Sequence, residues 1–205
     1  MLTRIAVLVS GGGTNLQALL DAQADGRLPS GDIALVISSA PGVYALTRAE
    51  EHGVPCEVVS RRNAAGQAAF EKALLDTLAA HRIELIVLAG FLCILSADFT
   101  ARFPRRILNV HPSLIPSFCG QGFYGLTVHE AALKAGVKVT GATVHFVNEI
   151  PDGGEILLQK AVEVLPQDTP AVLQQRVMRE AEWQLLPAAT ELVAHTLLTE
   201  KHRPL

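Results

Sequence analysis

Two polar residues at the end of one apolar run are positioned to act in the same reaction. Asn109 and His111 lie two positions apart within residues 107–113, so on a strand both side chains leave the same face. An amide N–H can stabilise an oxyanion, and an imidazole can transfer or stabilise a proton. A lone histidine is more often structural than catalytic, so this interpretation depends on the position of His111 beside Asn109 at a strand end.

A carboxylate that could serve this pair lies later in the chain. Asp152 is followed by two glycines in a turn-forming cluster, residues 148–154. Its side chain could simply hydrogen-bond the backbone of its own turn. Alternatively, it raises the basicity of a nearby imidazole and holds a water for proton relay. The residues alone leave both roles open.

A glycine-rich segment near the N-terminus predicts a phosphate site. Gly11, Gly12 and Gly13 follow the first apolar run and precede a helical pattern, where backbone N–H groups and the positive helix end favour an anion. Thr14 and Asn15 can add side-chain hydrogen bonds. A tight turn without a ligand is the alternative. A dinucleotide loop is disfavoured, because the last glycine of that motif is replaced by leucine and no acidic residue closes the second strand.

Composition narrows the class of protein. The 205 residues are 49% hydrophobic and 18% charged, enough to bury a substantial core. The net charge is −3 and no basic run exceeds two residues, so small molecules are expected as partners rather than nucleic acid. The three cysteines form no CxxC pair, which argues against a disulfide framework or a zinc site. Without a signal-peptide pattern or a long apolar stretch, we expect a cytoplasmic protein that does not enter membranes.

Alternating strand and helix patterns must position these residues. Strands are predicted at residues 5–9, 33–37, 56–59, 85–88 and 107–110, and helices at residues 15–22, 44–52 and 68–80. The runs at 85–88 and 107–110 are continuously apolar, as in central strands that are covered on both faces. The sequence therefore predicts an α/β, Rossmann-like fold with a mostly parallel central sheet and helices on both faces.

The pattern changes after residue 112. A helix is predicted at residues 128–135, followed by long strands at 137–147 and 156–164, which indicate a partly antiparallel C-terminal part. Thr169 and Pro170 predict the start of a helix. Pro187 is expected to kink or interrupt that helix before a last helix ends near Glu200.

Four segments jointly resemble the phosphoribosylglycinamide formyltransferases, a folate-dependent family of purine biosynthesis, over nearly the whole chain. They are residues 10–16, residues 88–96, residues 108–116, and residues 141–147 with 152–154. The resemblance implies that Asn109, His111 and Asp152 are catalytic, that Gly13, Thr14 and Asn15 bind the substrate phosphate, and that Glu182 holds the ribose hydroxyls. It also implies one domain over residues 1–205, with a phosphate-binding half to about residue 110 and a folate and catalytic half from about residue 111.

The same resemblance implies a folate site. Leu92, Cys93, Ile94 and Leu95 would line it together with Asn109, and backbone near residues 147–152 would read the pterin. Ordinary core packing is the alternative for residues 92–95. Family members often carry arginine at the positions of Gln67 and Cys93, where arginine is associated with the glutamate tail of the folate, and an ordinary residue at the position of Pro151. The loop at residues 117–125 could be a lid, supply stacking, or be a plain surface connection.

The expected reaction is direct transfer of a formyl group from the co-substrate 10-formyltetrahydrofolate to the amine of 5-phosphoribosylglycinamide, without a metal. Cys93 and Cys119 lack a neighbouring base, so no covalent intermediate is expected. The alternatives are a 10-formyltetrahydrofolate hydrolase, a formyltransferase acting on aminoacyl-tRNA, a nucleotide-binding module without chemistry, and a dehydrogenase. Chain length disfavours the first two, which carry an additional domain. Both a monomer and a homodimer are compatible with the sequence.

Overall fold

A seven-stranded sheet organises residues 1–201, the part of the chain that this computed structural model describes. The strands are β1 (Thr3–Val9), β2 (Gly31–Ser38), β3 (Cys56–Val58), β4 (Leu85–Leu88), β5 (Ile107–His111), β6 (Val139–Phe146) and β7 (Ile156–Glu163). Their order across the sheet is β3-β2-β1-β4-β5-β6-β7. Strands β1 to β5 pair in parallel, and β6 and β7 join antiparallel. The predicted fold class is confirmed.

Helices cover both faces of the sheet. They are α1 (Thr14–Ala24), α2 (Tyr44–Glu51), α3 (Gln67–Ala80), α4 (Ala97–Thr100), α5 (Leu126–Ala135), α6 (Pro170–Val177) and α7 (Trp183–Lys201). Alternate residues of β1 enter different cores: Val7 packs in the cluster that contains Leu186 of α7, whereas Leu8 packs in the cluster that contains Phe70 of α3. Burial on both faces explains why the central strands are continuously apolar.

The three strands at the centre of the sheet end at one edge. β4 pairs in parallel with β1 on one side and with β5 on the other. The loops after β1, β4 and β5 therefore meet at the carboxyl edge, and the strand order reverses between β1 and β4. A crevice at such a reversal is the usual ligand site of open α/β sheets.

The predicted interruption at Pro187 is wrong in position. Thr169 caps α6 as expected, but the helix changes at a π turn over Met178–Glu182, and Pro187 lies inside α7. The carbonyl that Pro187 cannot bond is that of Trp183, because proline lacks the N–H for the i−4 contact. That carbonyl adjoins the π turn, where the hydrogen-bonding register already changes, so α7 continues past the proline. The short helix α4, capped by Ser96 Oγ, was not predicted.

The C-terminal helix packs against the N-terminal strand and its helix. Thr3 donates a hydrogen bond of 2.9 Å to the carbonyl of Ala194, and α7 packs on α1. Both predicted halves thus contribute to one hydrophobic cluster. The division near residue 110 stays a prediction. No helix within residues 1–201 combines the length and apolar character needed to cross a membrane.

Gly141 lies where β6 and β7 approach closely. A Cβ at this position would lie 2.0 Å from the carbonyl oxygen of Lys160. We expect Gly141→Ala to lower the free energy of unfolding by about 3 kcal/mol, because the strands must separate to admit the methyl group. Urea denaturation measures this change. Gly12→Ala is the control, since a Cβ at Gly12 meets nothing within 4 Å. Equal stability of the two variants would contradict the close approach of β6 and β7 at Gly141.

Candidate active site

A cavity of about 810 Å³ opens at the carboxyl edge of the sheet. It is lined by residues of the loops after β1, β4 and β5, by the turn around Asp152, and by Glu182 of the π turn. A smaller cavity of about 120 Å³ adjoins it, and Asn109 and Asp152 line both. Two of the three predicted catalytic residues, Asn109 and Asp152, therefore lie where the two cavities meet, and His111 lines the larger one.

His111 lies between two hydrogen-bond acceptors. Its Nδ1 is 3.3 Å from Asp152 Oδ2, and its Nε2 is 2.9 Å from the carbonyl oxygen of Phe118. The residue is only 4% exposed. A carbonyl and a carboxylate both require a donor, so both contacts are satisfied only when both ring nitrogens carry a proton.

Asp152 accepts hydrogen bonds from several elements. Oδ2 accepts from the Gly120 N–H at 2.8 Å, while Oδ1 lies 3.4 Å from Asn109 Nδ2 and 3.5 Å from His145 Nε2. Burial alone would raise the pKa of Asp152, but hydrogen bonds from His145 and Gly120, with the positive charge of His111, hold that pKa below its usual range. The turn aspartate is thus an ionised partner of the imidazoles.

The turn around Asp152 is backed closely against β6. Asp152 has a left-handed backbone with φ of 55°, rare for a residue with a side chain. A Cβ at Gly154 would lie 1.7 Å from the carbonyl oxygen of Phe146. Only glycine fits there, so this close approach fixes the turn that carries the carboxylate.

His145 is a site residue that the sequence interpretation missed. It faces Asn109 across the antiparallel pair of β5 and β6, and its Nε2 lies 3.1 Å from Asn109 Nδ2. Its Nδ1 lies 2.9 Å from the carbonyl oxygen of Phe146, which fixes that nitrogen as the donor. With Nδ1 donating to Phe146, Nε2 accepts from Asn109 when the ring is neutral and donates to Asp152 when it also carries a proton. His145 thereby directs the Asn109 amide nitrogen toward Asp152, and Asn109 must release one of these contacts to bind an oxyanion.

The glycine loop, residues 11–13, leads into the first turn of α1. Gly13 has a φ of 74° and a Cβ there would lie 2.7 Å from Ala45 Cβ, so glycine is required by backbone and space. Gly12 has open space, and its carbonyl oxygen accepts from Arg48 Nε. Thr14 is the first residue of the helix. The loop and the positive end of the helix line the main cavity, as a phosphate site requires.

Asn15 and Glu182 are brought together across 167 residues of sequence. Asn15 Nδ2 donates to Glu182 Oε2 at 2.8 Å, so the Asn15 amide orients this carboxyl group, and its binding of the phosphate stays a prediction. Burial raises the pKa of Glu182 to about 7, although the Asn15 hydrogen bond opposes the shift. Both residues line the cavity, and burial favours the protonated form of the Glu182 carboxyl group.

The four residues predicted for the folate divide between cavity and core. Leu92 and Ile94 line the main cavity and are 67% and 64% exposed. Leu95 is buried in the core cluster, and it also lines the smaller cavity together with Cys93. Gln67 Nε2 donates to the carbonyl of Ile94 at 3.0 Å, so this side chain supports the loop that carries the apolar residues.

The loop at residues 117–125 contacts two of the predicted catalytic residues directly. The Phe118 carbonyl and the Gly120 N–H bind His111 and Asp152, and residues 120–125 line the main cavity. The loop is therefore part of the wall of the site rather than a plain surface connection. Burial raises the pKa of both the Cys93 and Cys119 thiols, which disfavours a thiolate nucleophile.

Comparison with known proteins decides the family. The pattern of the formyl transferase family matches residues 3–190. The chain belongs to the formyl transferase family. It is 43% identical to the phosphoribosylglycinamide formyltransferase of Haemophilus influenzae, over 90% of this chain and 84% of that protein. The crystal structure of glycinamide ribonucleotide transformylase 1 from Symbiobacterium toebii superposes with a TM-score of 0.88 at 42% identity, covering 95% of this chain and 89% of that chain.

Several relatives in the family are much longer proteins. The chain is 44% identical to the human trifunctional purine biosynthetic protein adenosine-3, over 93% of this chain and 18% of that protein. It matches the Drosophila melanogaster protein of the same name over 14% of its length. The similarity thus concerns one part of these proteins.

The raised pKa of Glu182 predicts a pH-dependent stability difference. The folded carboxyl keeps its proton up to about pH 7, whereas the ordinary value is 4.5. Its stabilising contribution is therefore fully present below about pH 4.5 and is lost as the pH rises through 7. We expect Glu182→Gln to gain stability relative to wild type across this window in urea denaturation. Glu180→Gln on the exposed side of the same turn is the control; parallel profiles for wild type and Glu182→Gln would contradict the shift.

Proposed function

We propose that this protein transfers the formyl group of 10-formyltetrahydrofolate to the amine of 5-phosphoribosylglycinamide, a step of de novo purine (IMP) biosynthesis. The observation that carries the proposal is that the His111, Asp152 and Asn109 cluster and the glycine loop line one cavity. A phosphate held at the loop would leave the other end of the acceptor near the catalytic cluster. Family membership supports the same reaction class.

The chemistry begins when the acceptor amine attacks the formyl carbon. A tetrahedral intermediate forms, and its oxygen carries the developing negative charge. His111 donates to this oxygen from Nε2, which no longer bonds the Phe118 carbonyl, while its Nδ1 stays 3.3 Å from Asp152. Asn109 supplies a second donor by releasing its 3.4 Å contact with Asp152. Charge stabilisation of this kind is commonly the largest catalytic contribution.

The proton of the amine must reach the folate nitrogen as the C–N bond to the folate breaks. Asp152 is the ionised group nearest to His111, and a water held by its carboxylate can take the amine proton and return one to the leaving nitrogen. The products are the formylated amine and tetrahydrofolate. No step requires a covalent bond to the protein.

The donor is proposed to lie against the apolar rim of the site. Leu92 and Ile94 expose most of their side chains there, which suits a flat heterocycle. Phe91 and Pro151 line both cavities and extend this apolar surface. Assignment of Cys93 and Leu95 to the folate rests on the smaller cavity, which adjoins the main one at Asn109.

A direct assay separates this reaction from hydrolysis. Purified protein should release tetrahydrofolate from 10-formyltetrahydrofolate only when glycinamide ribonucleotide is present. Release without the amine would assign a hydrolase instead. A chain that binds the nucleotide without turnover would be a binding module.

His111→Ala tests the mechanism. We expect kcat to fall by about two to four orders of magnitude, because the imidazole interacts most strongly with the charged intermediate. The KM of both substrates should change little. Steady-state kinetics with His52→Ala, an exposed histidine outside the cavity, is the control. Near-normal turnover of His111→Ala would rule out the proposed role.

Gly12→Ala tests the phosphate site. The methyl group fits the protein itself but obstructs close approach of a phosphate to the loop backbone. We expect the KM of glycinamide ribonucleotide to rise at least tenfold while the KM of the folate and the thermal stability stay at wild-type values. The matched comparison is the unphosphorylated riboside, whose turnover should respond little to the substitution. An unchanged KM for the phosphorylated acceptor would show that the phosphate does not bind at the glycine loop.

A further inference from the structure

His129 is a buried histidine that the reaction described above does not use. It is the fourth residue of α5, which begins directly after the loop at residues 117–125. The side chain is 0% exposed, yet the residue lines the main cavity with His111 and Glu182. A residue in this position could contact a ligand in the cavity.

Unpaired polar atoms concentrate on this part of the cavity wall. Within residues 1–201, the buried side-chain atoms without a hydrogen-bond partner are Asn15 Oδ1, both ring nitrogens of His129, Thr140 Oγ1, Glu182 Oε1 and Trp183 Nε1. Three of these five residues, Asn15, His129 and Glu182, line the main cavity. Asn15 and Glu182 still bond each other through their other atoms, whereas neither nitrogen of His129 is paired. An unpaired buried polar group destabilises a fold, and in native proteins it commonly marks a functional site.

The neighbours of His129 place it on the acceptor side of the site. α5 packs against α6, and α6 leads into the π turn that carries Glu182. His111 lies close enough for its charge to act on the His129 ring. His129 is thus near both the reacting end of the cavity and the residue predicted for the ribose hydroxyls.

The ring of His129 is neutral at physiological pH. Burial, together with the charge of His111, lowers its pKa to about 4. A neutral imidazole offers one donor and one acceptor. It suits a neutral group that is itself both donor and acceptor, such as an amide or a hydroxyl, better than a phosphate or a travelling proton.

We propose that His129 binds the acceptor substrate by hydrogen-bonding a neutral amide or hydroxyl between its phosphate and its amine. The assignment rests on the proposed function, because it takes glycinamide ribonucleotide as the acceptor. His129 is then a binding residue, and its hydrogen bond determines the position of the amine relative to the formyl carbon. A ring nitrogen that has no partner in the free protein gains one in the complex.

The test is His129→Phe, which keeps a planar ring and removes both hydrogen-bonding atoms. We expect the KM of glycinamide ribonucleotide to rise about ten- to a hundredfold, the range that corresponds to losing a buried hydrogen bond. The folate KM should stay within about twofold of wild type. The melting temperature should be unchanged or higher, because an unpaired buried polar group has been replaced. Glu130→Gln, exposed on the same helix, is the matched control.

His129→Gln and an acceptor analogue complete the test. Glutamine restores a donor and an acceptor, so part of the acceptor affinity should return, and this variant carries the test if His129→Phe does not fold. With a 2′-deoxyribose acceptor, the effect of His129→Phe should vanish if the 2′-hydroxyl is the partner and persist if the partner is the amide or another hydroxyl. An unchanged acceptor KM, or an equal rise in both KM values, would overturn the proposal. Wild-type protein without acceptor-dependent turnover would instead refute the proposed function.

Discussion

A buried carboxylate is the constraint on which the rest of this site depends. The side chain of Asp152 is only 13% exposed, and a carboxylate in such a place is costly unless donors surround it. Two histidines, an asparagine and one backbone N–H provide them. These donors come from β5, β6 and the loop at residues 117–125. Satisfying one negative charge therefore determines how three segments meet.

Much of this arrangement could be predicted because it follows from local rules. The glycines after β1 and the polar pair at the end of β5 are local features of the sequence, and a parallel sheet brings strand ends to one edge. His145 could not be found in the same way, because its contact with Asn109 depends on the register of β6 against β5. Its signal was its place in a segment already singled out by resemblance. The Asn15 to Glu182 bond is equally long-range, and Pro187 was misjudged because the adjoining π turn is not visible in residue types.

The part of the cavity wall formed by Asn15, His129 and Glu182 differs in character from the rest of the interior. Most of the core is closely packed aliphatic and aromatic side chains, whereas Asn15, His129 and Glu182 keep buried atoms unpaired. Each such atom lowers the stability of the free protein, which is a common cost of a binding site. The stability and affinity of this protein should accordingly respond in opposite directions at these positions.

The Phe118 carbonyl has a consequence for how the site receives its substrates. It bonds the one nitrogen of His111 that does not face Asp152, and it does so from a residue with a left-handed φ of 50°. In the free protein, this carbonyl therefore occupies the hydrogen-bonding position that the proposed mechanism assigns to the substrate oxygen, and a strained backbone holds it there. In that mechanism, substrate binding replaces one oxygen by another at Nε2, so His111 keeps its number of hydrogen bonds as the reaction begins.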